Sequence, residues 1–327
     1  MSAPKMTARE WGLLIILSLL WGGAFFFAAV ALKEVTHHGL AFFRVLIAAF
    51  ALGITAMLLR LPLPRSWAAW RDVAMLALFS TAIPFTLLYW AQTHIPSGLA
   101  AILNAMTPIF TILVAHFCTS DERIDGQRLF GVLAGIGGVA IIVGPSGLGH
   151  QGGDILAEAA VLGAGLCYAF ASVFGRRFAG QAPVMLSFMQ MAVASVYLLP
   201  VMLLAGPPLR VPVPGLSTIG AVIALGLFST ALAFVMFFRI LTRAGATNAI
   251  LVTLLVPISA ILLGVLILGE SLALRQLGGL TLIVLGLLVN DGRPLQFLRD
   301  AVSRLWQRPD VSGRAAPRML NEPHHSQ

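Results

Sequence analysis

A long apolar sequence occurs twice in this chain, and the duplication restricts the possible fold more than any other feature. The run Phe79–Ala82, which reads Phe-Ser-Thr-Ala, returns 149 residues later as Phe228–Ala231. The same offset relates Pro108 to Pro257. Self-similarity over this distance in apolar sequence indicates two related halves, and it argues against a solenoid of short units.

Composition indicates that these halves fold in lipid. The 327 residues are 58% hydrophobic and 10% charged, whereas about a quarter of a soluble domain is charged. The chain is therefore predicted to be an all-α membrane protein, and a single soluble domain is excluded. A net charge of +8 would suggest nucleic acid as a partner of a soluble protein, but membrane topology explains it better here.

The sequence contains no convincing motif for a cofactor, a metal or a catalytic group. Gly147–Gly152 fits G-x-G-x-x-G, but no strand precedes it, and a dinucleotide site requires that strand. Cys118 and Cys167 lie in apolar runs, which indicates neither a disulfide framework nor a zinc site. We therefore expect no cofactor, no metal and no catalytic residues.

Ten apolar stretches approach the length of roughly 20 residues that a membrane-spanning helix needs. They cover residues 11–32, 39–59, 70–92, 97–118, 128–144, 155–174, 183–205, 217–239, 246–268 and 275–290. Five belong to each half, with a first repeat at 10–145, a linker at 146–153, a second repeat at 154–291 and a basic tail at 292–327. The tail forms either an amphipathic helix on the membrane surface or a solvated segment.

The basic residues predict that both termini lie in the cytoplasm. With ten spans, all but four of the 21 Lys and Arg residues fall on the side of the N-terminus, and such residues are retained on the cytoplasmic side. The exceptions are Lys33, Arg44, Arg210 and Arg275. The first span has the basic start of a signal peptide but is longer than a signal's apolar core, so we expect it to be retained.

Five spans per half is an odd number, so the second half enters the membrane from the opposite side. Such inverted repeats enclose a polar site near the middle of the bilayer, which opens to each side in turn. The sequence therefore predicts a transporter in the cell inner membrane that works by alternating access.

Arg44 is the most informative polar residue, because a charge within hydrocarbon is costly and usually faces the interior of the helix bundle. It is either an anchor for a substrate carboxylate or phosphate, or a structural residue that snorkels to the surface or bonds neighbouring carbonyls. Gln190 occupies the corresponding place in the second half. The fold therefore does not require a charge at both positions.

The other candidates are polar, aromatic or proline residues within the spans. The predicted cavity lining also includes Trp21, Ser80, Thr81, Asn104, Thr107, Tyr168, Ser229, Asn248 and Thr253. The hydroxyl groups among them have the alternative of bonding a carbonyl of their own helix. Prolines interrupt helix hydrogen bonding, so they act as hinges or as simple packing kinks: Pro84, Pro108 and Pro257.

Several residues near the span ends are assigned to boundaries instead. Tyr89 and Trp90 are expected in an interfacial aromatic belt. Glu158 is expected at the outer surface, although a role in proton coupling is the alternative. Glu122 and its repeat mate Glu270 are expected to cap helix ends.

Several motifs recur at matching places in the two halves. The first half carries Trp21-Gly22-Gly23-Ala24-Phe25, Phe43-Arg44, Pro108, and Glu122 followed by Gly131. The second half carries Pro257, Glu270, Gln276 and Gly279 in matching places. Together these motifs resemble the EamA repeat of the drug/metabolite transporter superfamily. The resemblance covers residues 10–291 and implies ten helices, a central cavity between the halves, and transport of small metabolites, often amino acids or their derivatives.

The favoured function is therefore a permease or exporter of small polar metabolites. A multidrug or hydrophobic-compound efflux pump is the alternative, and a membrane-embedded enzyme is less favoured because no catalytic residues converge. The expected partners are a small-molecule substrate and membrane lipids, with no nucleic acid. The choice between monomer and homodimer stays open.

Overall fold

A computed structural model describes residues 8–119, 126–143, 153–178, 180–244 and 252–291. These residues form helices joined by short loops, and the extended pairing among them is a single bridge between Val35 and Leu209. The basic tail, the predicted linker up to residue 152, Glu122 and Asn248 lie outside the described residues.

The helices of the first half are numbered α1 to α5. They are α1 (Ala8–Ala31), α2 (His37–Leu58), α3 (Trp67–Ala77, a π-helical turn at Leu78–Ala82, then Ile83–Ala91), α4 (Ser97–Asn104 and Thr107–Cys118) and α5 (Gly126–Val143). Thr36 and Ser66 cap the starts of α2 and α3, because their hydroxyl oxygens accept hydrogen bonds from the N–H groups of Gly39 and Ala69. The first N–H groups of a helix otherwise have no partner within it.

The helices of the second half follow the same order. They are α6 (Gly153–Gly175, with one tighter turn at Arg176–Phe178), α7 (Pro183–Leu204), α8 (Leu216–Gly226, a π-helical turn at Leu227–Leu232, then Ala233–Ala244), α9 (Val252–Leu268) and α10 (Leu274–Asp291). The loop between α2 and α3 corresponds in the repeat to the loop between α7 and α8.

Seven helical stretches within the described ranges are long and apolar enough to cross a membrane. They are Trp11–Ala31, His37–Leu58, Trp67–Ala91, Ser97–Cys118, Ile155–Phe178, Pro183–Leu204 and Leu216–Phe237. Three shorter apolar helices are Leu129–Ile142, Leu255–Leu268 and Leu274–Val289. The protein is a multi-pass membrane protein, and the number of ten crossings stays a prediction.

Large apolar side chains cover the outside of the molecule as well as its core. Phe50 is 66% exposed and Leu204 is 87% exposed. A soluble protein rarely exposes apolar patches of this extent, whereas lipid accepts them without cost. The surface therefore agrees with the composition.

The corresponding helices α2 and α7 run antiparallel and pack along their length. Near the start of α2, Gly39 lies against Pro208, which follows α7. Near the end of α2, Gly53 lies against Phe188, which is close to the start of α7. The interface between the halves is therefore formed in part by one helix and its own repeat mate.

A second antiparallel pair, α5 and α10, is held together by four glycines that we call the glycine seam: Gly131, Gly138, Gly279 and Gly286. A β-carbon on Gly138 would lie 2.7 Å from the Gly279 carbonyl oxygen, and one on Gly286 would lie 2.7 Å from the Gly131 carbonyl oxygen. The duplication relates Gly131 to Gly279 and Gly138 to Gly286, so it exchanges the two contacts.

Candidate functional site

The repeated Phe-Ser-Thr-Ala run forms a π-helical turn in both halves, at Leu78–Ala82 and Leu227–Leu232. Such a turn adds one residue to an α-helix and is frequent at functional sites. Pro84 follows the first turn, but Ala233 stands in the same place after the second. The proline is therefore not what produces the turn.

Arg44 joins α2 to both of these modified helices. Its Nε donates to the Thr230 hydroxyl at 2.8 Å, one Nη donates to the Tyr89 hydroxyl at 2.6 Å, and the other donates to the Ser229 carbonyl at 3.4 Å. The guanidinium carbon lies 4.0 Å from the centre of the Phe85 ring. Arg44 is 7% exposed, so it does not snorkel to the membrane surface.

The positive charge of Arg44 has no carboxylate partner among the described residues. A guanidinium has five N–H donors, and three of them bond the protein here. The hydroxyl oxygen of Ser229, fully buried beside this group, has no hydrogen-bond partner in the described part of the chain. The site therefore combines an unneutralised charge with unused hydrogen-bonding capacity.

Gln190, in the second half, makes the corresponding contact to the first half. Its Nε2 donates to the Thr81 hydroxyl at 2.8 Å. Gln190 is 5% exposed and Thr81 is fully buried. Each half thus sends one polar side chain to the π turn of the other.

Tyr168 on α6 lies where two hydrophobic clusters meet, and it packs against both. It is within electrostatic range of Arg44 and Tyr89. Its hydroxyl has no bonding partner among the residues described. Trp21 on α1 is half-buried in one of these clusters, with its ring 5.4 Å from that of Phe237.

The expectation for Tyr89 was wrong. Tyr89 is 2% exposed and bonds Arg44, so it belongs to the site and not to an interfacial belt. Thr81, Phe85 and Tyr89 follow at four-residue spacing, which places them on one face of α3. The four-residue spacing was therefore the sequence signal that groups Tyr89 with Thr81. The distance of Tyr89 from the end of the span gave no information about which face of α3 it occupies. Trp90 points elsewhere, with its ring 4.7 Å from that of His94.

The remaining polar candidates differ in their contacts. The Ser80 hydroxyl donates to the carbonyl of Leu76, four residues earlier in the same helix. This is the alternative that the sequence left open for hydroxyl groups within the spans. Thr107 donates to the Asn104 carbonyl at 2.8 Å, and the Asn104 side-chain oxygen is buried without a partner among the described atoms. Thr253 is half-buried on α9. A role for these residues in binding stays a prediction.

The two equivalent prolines have different surroundings. Pro108 is the second residue of the helix segment that restarts after the interruption of α4 at residues 105 and 106, whereas Pro257 lies inside α9. Both are buried. Their action as hinges, like that of Pro84, stays a prediction.

Glu270 is a helix cap, as predicted, but for a helix of the other half. Its carboxylate accepts the Ser97 N–H at 2.9 Å, the Ser97 hydroxyl at 2.7 Å and the Gly98 N–H at 3.0 Å. A negative charge at the start of α4 also interacts favourably with the helix dipole. Glu158 is half-buried near the start of α6. Within the described ranges, no three His, Cys, Asp or Glu residues are grouped so that they could hold a metal.

The fold and this site define a class of protein. The chain is a helical multi-pass membrane protein made of two repeats, with polar contacts between the repeats at equivalent places. The EamA-like transporter family matches residues 10–144 and 155–290, one match per half. The chain belongs to the EamA-like transporter family.

Curated relatives are named as transporters or exporters. The chain is 28% identical over 309 residues to a "probable terminal-alkyne amino-acid exporter" of Streptantibioticus cattleyicolor, covering 91% of this chain and 98% of that protein. It is 25% identical to an uncharacterized transporter of Archaeoglobus fulgidus, covering 86% and 98%. It is 27% identical to the uncharacterized inner membrane transporter YedA of Escherichia coli K12, covering 80% and 84%.

A solved crystal structure supports the fold. It matches with a TM-score of 0.63 at 22% identity, over 87% of this chain and 97% of that chain. The family and the named relatives are transporters, which points away from an enzyme.

Proposed function

We propose that this protein is a secondary transporter that exports or exchanges small metabolites bearing a carboxylate, with amino acids and their derivatives as the favoured class. It works by alternating access between two inverted five-helix repeats, with ten spans in the cell inner membrane and both termini in the cytoplasm. The observation that carries the proposal is the buried charge of Arg44, which lacks a carboxylate partner in the described chain.

A buried charge without a partner is unfavourable unless something else neutralises it. The two unused N–H donors of Arg44 match the two oxygens of a carboxylate, which arginine binds with bidentate geometry. Tyr168 and Ser229 offer further hydroxyl groups nearby. A substrate carboxylate would therefore supply the negative charge that neutralises Arg44.

The relative named as an amino-acid exporter supports this substrate class. The antiparallel pairing of α2 with α7 and of α5 with α10 supports the inverted arrangement, because an inverted repeat reverses each helix relative to its mate. The relative YedA, named as an inner membrane transporter, supports the location.

The test is transport by purified protein in liposomes. Three sets of compounds are compared: amino acids, the corresponding amines without the carboxylate, and hydrophobic cations. Saturable flux of the amino acids is expected. Flux of the hydrophobic cations alone would instead support the efflux pump and overturn this proposal.

The variant Arg44→Gln tests the role of the charge. We expect it to raise the apparent KM for amino acids about 10- to 100-fold, which is the range for losing a charge-assisted hydrogen bond. Flux of any transported amine should change little. Arg65→Gln, on an exposed loop, is the control. An unchanged KM in Arg44→Gln would remove Arg44 from the binding site.

A further inference from the structure

An apolar groove with a volume of about 240 Å³ lies between α2 and α8. Phe43 and Ile47 of α2 form one wall, and Ile219 and Val222 of α8 form the other. The bridged residues Val35 and Leu209 line the end of the groove next to the α1–α2 and α7–α8 loops, where it opens. Because α2 and α8 belong to different halves, any molecule in this groove contacts both.

The groove faces the lipid side of the helix bundle. Ile219 is 42% exposed, and the residues beside the mouth are more exposed still, with Val213 at 82% and Leu216 at 88%. Exposed apolar side chains at the start of a spanning helix contact lipid. A groove of this size with apolar walls suits a hydrocarbon chain.

Two cations stand beside the mouth. Arg210 follows the lining residue Leu209, and its backbone N–H donates to the Glu34 carbonyl at 2.7 Å. Lys33 precedes Glu34, and the Lys33 and Arg210 side chains are both exposed. They are two of the four basic residues that depart from the cytoplasmic preference noted in the sequence.

The acid at this mouth is already engaged. The carboxylate of Glu34 accepts the Gly215 N–H at 2.7 Å, at the start of α8. Neither Lys33 nor Arg210 forms an ion pair with a carboxylate in the described part of the chain. Both cations are therefore free to pair with an anion from outside the protein.

We propose that this groove is a binding site for an anionic phospholipid. One acyl chain lies between α2 and α8, and the headgroup phosphate pairs with Arg210 and Lys33. Basic residues at the membrane surface attract anionic headgroups, and the apolar walls take the chain. A zwitterionic headgroup brings its own cation next to Arg210 and Lys33, so it binds less well.

Lipid binding at this place stabilises the contact between the halves. Phe43 precedes Arg44 by one residue, and Ile47 follows it by about one helical turn. The acyl chain of the lipid therefore fills the space directly behind the Arg44 contacts. A ligand that binds the folded protein and not the unfolded one raises its melting temperature. Lipid binding in this groove does not depend on which substrate the protein transports.

The test measures thermal unfolding of delipidated protein in detergent during titration with phosphatidylglycerol, phosphatidylcholine or glycerol phosphate. Phosphatidylglycerol is expected to raise the midpoint by several degrees, phosphatidylcholine by less, and glycerol phosphate not at all. Arg210→Gln should raise the phosphatidylglycerol concentration for half of the effect about fivefold, as expected for one cation near an anionic headgroup. Val222→Trp fills the groove and should abolish the response.

Two matched variants control these changes. Arg65→Gln removes an exposed cation from the repeat-related loop, and Leu262→Trp enlarges a side chain that is 52% exposed on α9. Both should keep the full response to phosphatidylglycerol. If Val222→Trp unfolds at a lower temperature without lipid, Ile219→Trp at the more exposed wall position provides the same test.

Three results would overturn the proposal. Equal shifts with phosphatidylcholine and phosphatidylglycerol would show that the cations do not select the headgroup. A full response in the tryptophan variants would show that the chain lies elsewhere. A shift with glycerol phosphate as large as with the lipid would indicate an anion site that needs no acyl chain.

Discussion

Arg44 and Gln190 occupy equivalent places in the two halves, and each donates a hydrogen bond of 2.8 Å to the threonine in the π turn of the other half. The bond is thus a property of the interface between the halves, and the arginine adds a charge to it. Since Gln190 makes the same bond without a charge, the charge of Arg44 is available for another purpose.

The two bonds should differ in strength. Thr230→Val leaves a charged donor of Arg44 without its acceptor, which should lower the free energy of unfolding by about 1.5–3 kcal/mol, whereas Thr81→Val removes a neutral bond and should cost about 1 kcal/mol. Equilibrium unfolding in mixed detergents measures both. Equal losses would show that the charge contributes nothing to the interface.

The glycine seam should tolerate no added methyl group. Gly279→Ala places a β-carbon 2.5 Å from the Gly138 carbonyl oxygen, so α5 and α10 must separate and the melting temperature should fall by several degrees. The neighbouring Gly278→Ala meets no atom within 4 Å and should stabilise α10 by up to about 1 kcal/mol through helix propensity. Thermal unfolding of the two variants side by side checks the seam. Equal melting temperatures would contradict it.

Glu270 should behave as a cap and not as a proton carrier. Glu270→Gln replaces one acceptor oxygen by an amide donor facing N–H groups of α4, and we expect a loss of about 1–2 kcal/mol of stability. The pH profile of transport should keep its shape. Ser271→Ala, at an exposed neighbour, is the control, and a shifted pH profile in Glu270→Gln would assign Glu270 to coupling.

Glu34 predicts a pH dependence of the contact between the α1–α2 and α7–α8 loops. Hydrogen bonds from the Gly215 N–H and then the Thr218 hydroxyl lower the pKa of Glu34 below its ordinary value. A lowered pKa in the folded state gives stability that is present above the unfolded value of about 4.3 and is lost as the pH falls through the folded value.

The corresponding experiment compares wild type with Glu34→Gln. The wild type should be the more stable of the two at neutral pH, and the difference should shrink as the pH falls below about 4.3. Thermal unfolding across this range provides the measurement. A difference that stays constant down to acid pH would show that the Glu34 carboxylate does not contribute through its charge.

The class of fold could be predicted from the sequence because lipid imposes simple requirements on a chain. Apolar length, the repeated Phe-Ser-Thr-Ala run and the matched glycines all follow from helices packing in a bilayer.

The details of the site could not be predicted in the same way. The π turns depend on backbone hydrogen bonding, which composition does not reveal. A proline does not mark them, because Pro84 follows the first turn but Ala233 stands in the equivalent place after the second. The position of Tyr89 depends on which face of α3 meets α2. Glu270 was recognised as a cap, but its partner lies 172 residues away at Gly98, and no local pattern identifies a partner at that distance.

The glycine seam has a consequence for how the two halves can move. The duplication maps the Gly138–Gly279 contact onto the Gly286–Gly131 contact, so the seam makes the same contacts from the side of either half. Any rearrangement in which the halves trade conformations maps α5 and α10 onto each other and leaves their backbone contact unchanged. If the protein alternates between two such states, as proposed above, we expect this helix pair to stay fixed while the helices on either side of it rearrange to admit and release the substrate.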